Sequence, residues 1–313
     1  MRLVFCGTPA FAVPVLEALL GSSHTVELVI SQPDRPSGRK LEVQPGAVKQ
    51  VAQSKGLAIT QPEKIRTNQA LQRQLEAIAP DAIVVVAYGR LIPPWMLELP
   101  PHGNLNLHAS LLPKYRGAAP IQWAIANGEK ETGVTTMRID AGLDTGDILM
   151  QERWPILPDQ TAPQIAADLA KIGAKLMLET LHGLEAGTLQ PRPQPHELAS
   201  LAPILQREDG RIDFTQTADR IYDRWRGFQP WPGAFCYLRG KKLTVHAMQV
   251  PQTSSHSGDP LPGTILREGD HLFVTSGNGT SIRILELQME GKRRMPVSTF
   301  LNGFSFLPGE RLE

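Results

Sequence analysis

The run Ala82-Ile-Val-Val-Val-Ala87 constrains the fold more than any other stretch of the chain. Its β-branched centre suits a strand, and with no polar alternation it offers no face to water. Such a strand must be covered on both sides. Leu3-Val-Phe-Cys6 and Val26-Glu-Leu-Val-Ile30 have the same character, and Leu57–Thr60 and Leu105–His108 are shorter candidates. Helical patterns separate these runs: one carrying Val13, Leu16, Leu19 and Leu20, a second over Ala47–Lys55, and a third over Gln69–Ala79. Strands buried on both faces and alternating with helices predict an α/β fold with a doubly wound, mostly parallel sheet. Ligands of such sheets bind beyond the carboxyl ends of the strands. Gly7-Thr-Pro9, Ser31 to Lys40, Tyr88-Gly89 and Asn106 to Pro113 fall there.

The pattern changes further along. Val134–Ile139 alternates apolar and polar residues, as a strand near a sheet edge does. A long helix is expected from Thr161 to Ala186, with Ile165, Leu169, Ile172, Leu176 and Leu184 on its buried side. The proline-rich stretch that follows reads as a linker. Beyond it lie one helix, Thr217–Arg226, and short strands at Ala234–Leu238, Leu243–Gln249, Gly263–Arg267, Leu272–Thr275 and Ser281–Gln288. Short strands punctuated by Gly, Asn and Asp turns predict a small β-barrel, OB-like in type. The expected division is therefore a first domain over 1–186, a linker over 187–206 and a β-barrel domain over 207–313.

Composition removes several function classes. The net charge is +1, so contact with a polyanion has to come from local patches. Cys6 and Cys236 lie far apart without a CxxC partner, which argues against a zinc site or a disulfide framework. No run approaches the length of a membrane span, and a strand begins almost at Met1. The expectation is a cytoplasmic protein with no metal. It is expected to be a monomer, because no exposed apolar stripe is evident. A dinucleotide site is also disfavoured: the turn after the first strand reads Gly7-Thr-Pro-Ala-Phe-Ala12 and lacks the second glycine of Gly-x-Gly-x-x-Gly.

Chemistry concentrates in two places, Asn106-Leu-His108 and Gly142-Leu-Asp144-Thr-Gly-Asp147. Side chains alternate along a strand, so Asn106 and His108 share a face. Two polar groups on what would otherwise be a core face need partners, which suggests a cleft. An amine attacking an acyl or formyl carbon must lose a proton, and the developing oxyanion needs a donor. Imidazole suits the first task near neutral pH, with a carboxylate such as Asp144 fixing its tautomer. A side-chain amide suits the second. The same residues also admit a purely structural account, with Asn106 and Asp144 completing turns and His108 bonding locally.

Longer motifs narrow the choice. Asn106-Leu-His108, Ser110-Leu-Leu-Pro113, Arg116-Gly-Ala-Ala-Pro-Ile-Gln122, Glu131-Thr-Gly-Val-Thr135 and Gly142-Leu-Asp-Thr-Gly-Asp147 resemble the folate-dependent formyltransferases. Gln32-Pro-Asp-Arg-Pro-Ser-Gly-Arg39 and Phe228-Gln-Pro-Trp-Pro-Gly233 extend that resemblance over essentially the whole chain. It implies a Rossmann-like catalytic domain and transfer of a formyl group from 10-formyltetrahydrofolate to the α-amino group of methionine carried by initiator tRNA. It implies Asn106, His108 and Asp144 as the catalytic set, and Ser110, Leu111, Leu112, Pro113, Tyr88 and Gly89 as folate contacts. For the charged initiator tRNA it implies Arg35, Arg39 and Lys40. Lys241, Lys242, Lys292, Arg293 and Arg294 are further candidates for phosphate contact. Competing readings are formylation of an amino-sugar nucleotide, hydrolysis of the formyl donor, and a non-catalytic RNA-binding module. The intact Asn/His/Asp set argues against the last.

Overall fold

In the computed structural model, which describes residues 1–37, 42–251 and 260–313, the apolar runs line up as one seven-stranded sheet. Its order is Ile148–Pro155, Glu131–Arg138, Asn104–His108, Ala82–Val86, Arg2–Gly7, Thr25–Ile30 and Ile59–Thr60. The last five are mutually parallel. The first two run antiparallel to their neighbours. The sheet is thus mixed only at one margin, where the site is built. Ile148–Pro155 has no counterpart in the sequence expectations. It forms the margin itself, and its Glu152 and Arg153 are exposed, as befits a strand at the rim of a sheet.

Register explains why polar residues stand beside the core. Val4, Cys6, Leu28, Ile30, Ile83 and Val85 cluster with Leu71 and Leu75 of the helix Gln69–Ile78. Ile83 pairs with Asn104 and Val85 with Asn106, so this apolar face continues onto Asn104, Asn106 and His108. Leu107 points the other way, toward Gly173 of the helix Ala162–Glu185; a β-carbon there would lie 2.5 Å from the leucine methyl. One strand therefore carries a core face and a polar face, set by the period of two. Cys6 and Cys236 are fully buried, and burial pushes both thiols up, Cys236 to about 12.

The chain divides into two compact units, each made of three stretches. Met1–Ile121, Glu131–Ile156 and Gln164–Pro203 form the first; Gln122–Lys130, Leu157–Pro163 and Ile204–Glu313 form the second. The proline-rich stretch read as a linker is largely laid down on the first unit. Leu201 and Ala202 pair with Arg116 and Gly117, and Arg192 bridges Ile148. Proline suits such a segment because it cannot continue the preceding helix yet tolerates extended backbone.

In the second unit the expected barrel takes the form of an antiparallel half-barrel. Its strands run in the order Phe235–Leu238, Lys241–Gln249, Ser281–Met289, His271–Thr275 and Ile265–Glu268. Register shifts around Ala247 bend the long strand while keeping Leu243, Val245 and Met248 in the core. The helices Ala218–Gly227 and Val297–Gly303 contribute Ile221, Phe300 and Leu301 to that core. Arg226 is the largest fully buried side chain among the described residues. It is neutralised by Asp223 at 2.7 Å and donates to the carbonyls of Leu157 and Gln160.

Candidate active site

His108 ends its strand 5% exposed, and the turn that follows folds back onto it. Its Nε2 lies 2.9 Å from the carbonyl oxygen of Tyr115. A carbonyl only accepts, so Nε2 carries a proton and Nδ1 is the atom left for chemistry. Nδ1 faces Oδ2 of Asp144 at 3.6 Å. In the neutral ring a lone pair points at that carboxylate; in the charged ring an N–H does. Nδ1 is thus the atom through which the ring can take up a proton, as a general base must, with a carboxylate beside it.

Asp144 is brought to His108 by a loop between two antiparallel strands, not by the end of a parallel one. It is a non-glycine residue at φ 51°, a left-handed conformation that needs support from its surroundings. The support is extensive. Oδ2 accepts the backbone N–H of Gly117 at 2.8 Å, and Asp140 accepts from Gly142 N–H and the Thr145 hydroxyl. Gly146 fits because a β-carbon would stand 1.9 Å from the carbonyl oxygen of Arg138.

Asn106 lies two residues before His108 on the same face, roughly 7 Å away by strand rise. Its side-chain amide has no hydrogen-bond partner among the described residues. Asn106 therefore completes no turn through its side chain among the described residues, while His108 and Asp144 do converge. An open amide, an imidazole and a carboxylate can polarise a carbonyl and take a proton from an incoming amine.

Ser110 to Pro113 form the wall beside this group. Ser110 is fully buried and its hydroxyl donates to the carbonyl of Lys114. Leu112 packs with Met137 and Ile148. Leu111 reaches toward Gly133, where a β-carbon would lie 2.5 Å from its methyl. Thr135, cross-strand from His108, organises the segment. Its hydroxyl donates to Ser110 O at 2.6 Å and accepts from Leu112 N–H and from the Gln151 amide. Thr135→Val keeps the shape and strands these buried groups, so a loss of about 1–3 kcal/mol is expected in urea unfolding. A midpoint equal to wild type would show that the hydroxyl is dispensable.

Tyr88 and Gly89 fall in a loop where Ala87 and Gly89 both have positive φ. The Tyr88 ring is 2% exposed within the core, and burial pushes its phenol up to about 12. What this loop presents outward is backbone, and the Gln32 amide donates to the carbonyls of both residues. Leu91, just beyond, and Leu143, just before Asp144, are exposed.

The candidate phosphate contacts differ in their surroundings. Arg35 is exposed and paired with Glu63 at 3.0 Å. Arg39 and Lys40 lie outside the described residues. Lys242 sits over the Phe235 ring at 3.9 Å, and Arg294 pairs with Glu286. Lys241, Lys292 and Arg293 are exposed. The described residues hold no group of three His, Cys, Asp or Glu fit to bind a metal, and no helix long and apolar enough to cross a membrane.

Sequence reasoning missed Gln194, 3% exposed. It donates to Asp144 O at 2.9 Å and Gly146 O at 2.7 Å, and accepts two bonds from Arg116. Its position among prolines carried no signal. Arg116 stood within a quoted motif, but nothing local indicated its partner.

Two family models match along the chain. Residues 1–181 match the model of the formyl transferase family and residues 204–305 that of the formyl transferase C-terminal domain. The chain is 59% identical to a methionyl-tRNA formyltransferase of Acidobacterium capsulatum, with 100% of this chain and 99% of that protein covered. It is 54% identical to the protein of the same name from Koribacter versatilis, covering 97% and 96%. In fold it is similar to an N-formyltransferase of Helicobacter canadensis crystallised with folinic acid and dTDP-3-aminofucose. That likeness has a TM-score of 0.68 at 19% identity, over 92% of this chain and 99% of that one.

Proposed function

The chain belongs to the formyl transferase family, and from this premise we infer that it transfers the formyl group of 10-formyltetrahydrofolate to the α-amino group of methionine on initiator tRNA. The observation that carries the reading is the approach of Asp144 to 3.6 Å from His108, on the strand that also bears Asn106, whose amide has no partner among the described residues. The full-length identity to proteins named for this activity supports the substrate.

The donor supplies a formyl carbon already activated by its attachment to nitrogen. The open amide of Asn106 and the exposed Leu91 and Leu143 suit a flat, partly apolar ligand with one carbonyl to polarise. Asn106 donates to the carbonyl oxygen as negative charge grows on it. His108 receives at Nδ1 the proton shed by the attacking amine. Asp144 stabilises the resulting imidazolium, which gives the proton to the folate nitrogen as its bond to the formyl carbon breaks and the carbonyl re-forms, and Tyr115 O holds the ring in place through Nε2. The wall from Ser110 to Pro113 and the backbone of Tyr88 and Gly89 border the donor.

For the tRNA, the exposed Lys241, Lys292 and Arg293 support phosphate contacts by the second unit. Arg35 of the first unit, with Arg39 and Lys40 outside the described residues, is assigned separately to the same partner. Such work belongs in the cytoplasm, where chains are initiated.

The test is purified protein with labelled 10-formyltetrahydrofolate and, in separate reactions, charged initiator tRNA, charged elongator methionine tRNA and a dTDP-amino sugar. Label on methionine of the initiator species is expected. Label on the sugar instead would replace this reading with the nucleotide-sugar alternative, and retention of tRNA without label would favour a binding module.

A further inference from the structure

We propose that Gln194, held in place by Arg116, is a positioning residue for the reaction, acting through the loop that carries Asp144. The inference rests on the reading of Asn106, His108 and Asp144 as the reacting set.

Two peptide carbonyls and two side chains make the case. Asp144 stands in a left-handed conformation, and a residue so placed returns to ordinary backbone angles unless neighbouring groups hold it. Gln194 supplies the hold. One amide nitrogen donates both to the carbonyl of Asp144 itself and to that of Gly146, two residues on. The loop is thereby pinned on either side of Thr145. Gln194 is in turn fixed by Arg116, whose Nε and a terminal nitrogen both bond its side-chain oxygen, at 3.1 and 2.7 Å. Arg116 is 7% exposed and also donates to His196 Nδ1 at 3.1 Å. A buried guanidinium directed at a neutral amide orders that amide unambiguously, because guanidinium has no acceptor and must face oxygen.

The flanks of Arg116 touch the other two parts of the same site. Tyr115 O accepts from His108 Nε2, and Gly117 N–H donates to Asp144 Oδ2. Residues 115–117 thus grip the imidazole, the amide that sets Asp144, and the carboxylate itself. They are clamped from behind by Ser200, which bonds the N–H groups of both Tyr115 and Arg116, and by Ala202. The segment carrying Gln194, His196 and Ser200 is the back wall of the catalytic group.

A group that only stabilises the fold and one that aims Asp144 make different predictions when Asp144 is already disabled. Gln194→Met fills similar space but donates nothing; Gln194→Glu keeps an acceptor for Arg116 yet offers no N–H to the two carbonyls. Both are expected to lower kcat about 10–100-fold, as loss of an outer partner does at other sites, with KM for the donor changed little. In an Asp144→Asn background the same substitutions should cost under about threefold more, because their effect passes through a group no longer competent. Equal losses in both backgrounds, or wild-type kcat in a folded variant, would overturn the proposal. Thermal midpoints of all variants separate misfolding from misplacement. If the unaltered chain itself fails to formylate charged initiator tRNA, the parent reading is what falls.

Discussion

His108→Ala is expected to lower kcat by about 10²–10⁴-fold, the range that a positioned acid–base group supplies, with donor affinity left near wild type. The ring is held from both sides: Nε2 by Tyr115 O at 2.9 Å and Nδ1 opposite Asp144 at 3.6 Å. Alanine removes the only group on that strand face able to accept a proton near neutral pH. It leaves the wall from Ser110 to Pro113 tied to Thr135 through bonds that do not involve the histidine. Steady-state rates at saturating tRNA, with donor binding measured by fluorescence titration, separate the two quantities. Turnover within a few-fold of wild type would remove His108 from the chemistry.

Asn106→Asp should cost about 10²–10³-fold in kcat, the effect of removing one oxyanion donor. The replacement preserves size and strand geometry, and because the native amide has no partner among the described residues it breaks no existing bond. What changes is the sign of the interaction with a carbonyl oxygen gaining charge: a donor becomes an acceptor carrying its own negative charge. The loss should appear in kcat more than in KM, since the ground-state carbonyl asks less of the amide than the transition state does. A variant impaired only in KM would mean that Asn106 binds substrate without stabilising the reacting oxygen.

Much of this was readable from the chain, for reasons particular residues make plain. Ala82–Val86 and Leu3–Cys6 could be placed in a sheet buried on both faces because continuous apolar runs permit little else. The shared direction of Asn106 and His108 followed from the strand period alone. The strand Ile148–Pro155 was not readable: its Glu152 and Arg153 are what an edge tolerates, and they mask the apolar pair at its start. Nor was the place of Gln194. Its partners lie 48 and 50 residues away, and the folding of a proline-rich segment onto the chain, with Arg192 bridging Ile148 and Leu201 and Ala202 pairing with Arg116 and Gly117, brings them together. Local pattern reports periodicity; it does not report which distant carbonyl an amide will meet.

The threading of the two units bears on how this protein can be recombined with its relatives. A junction at Pro203 looks like a natural seam, yet Leu157–Pro163 and Gln122–Lys130 belong with what comes after it. A fragment starting there would leave the guanidinium of Arg226 without the carbonyls of Leu157 and Gln160, and Gly227 without the helix backbone it nestles against at Ala126. Chimeras that trade the late half of one homologue for another must therefore carry three separate stretches together. Any lineage that exchanged the seam alone would inherit an ionised side chain sealed in a cavity cut for someone else's backbone.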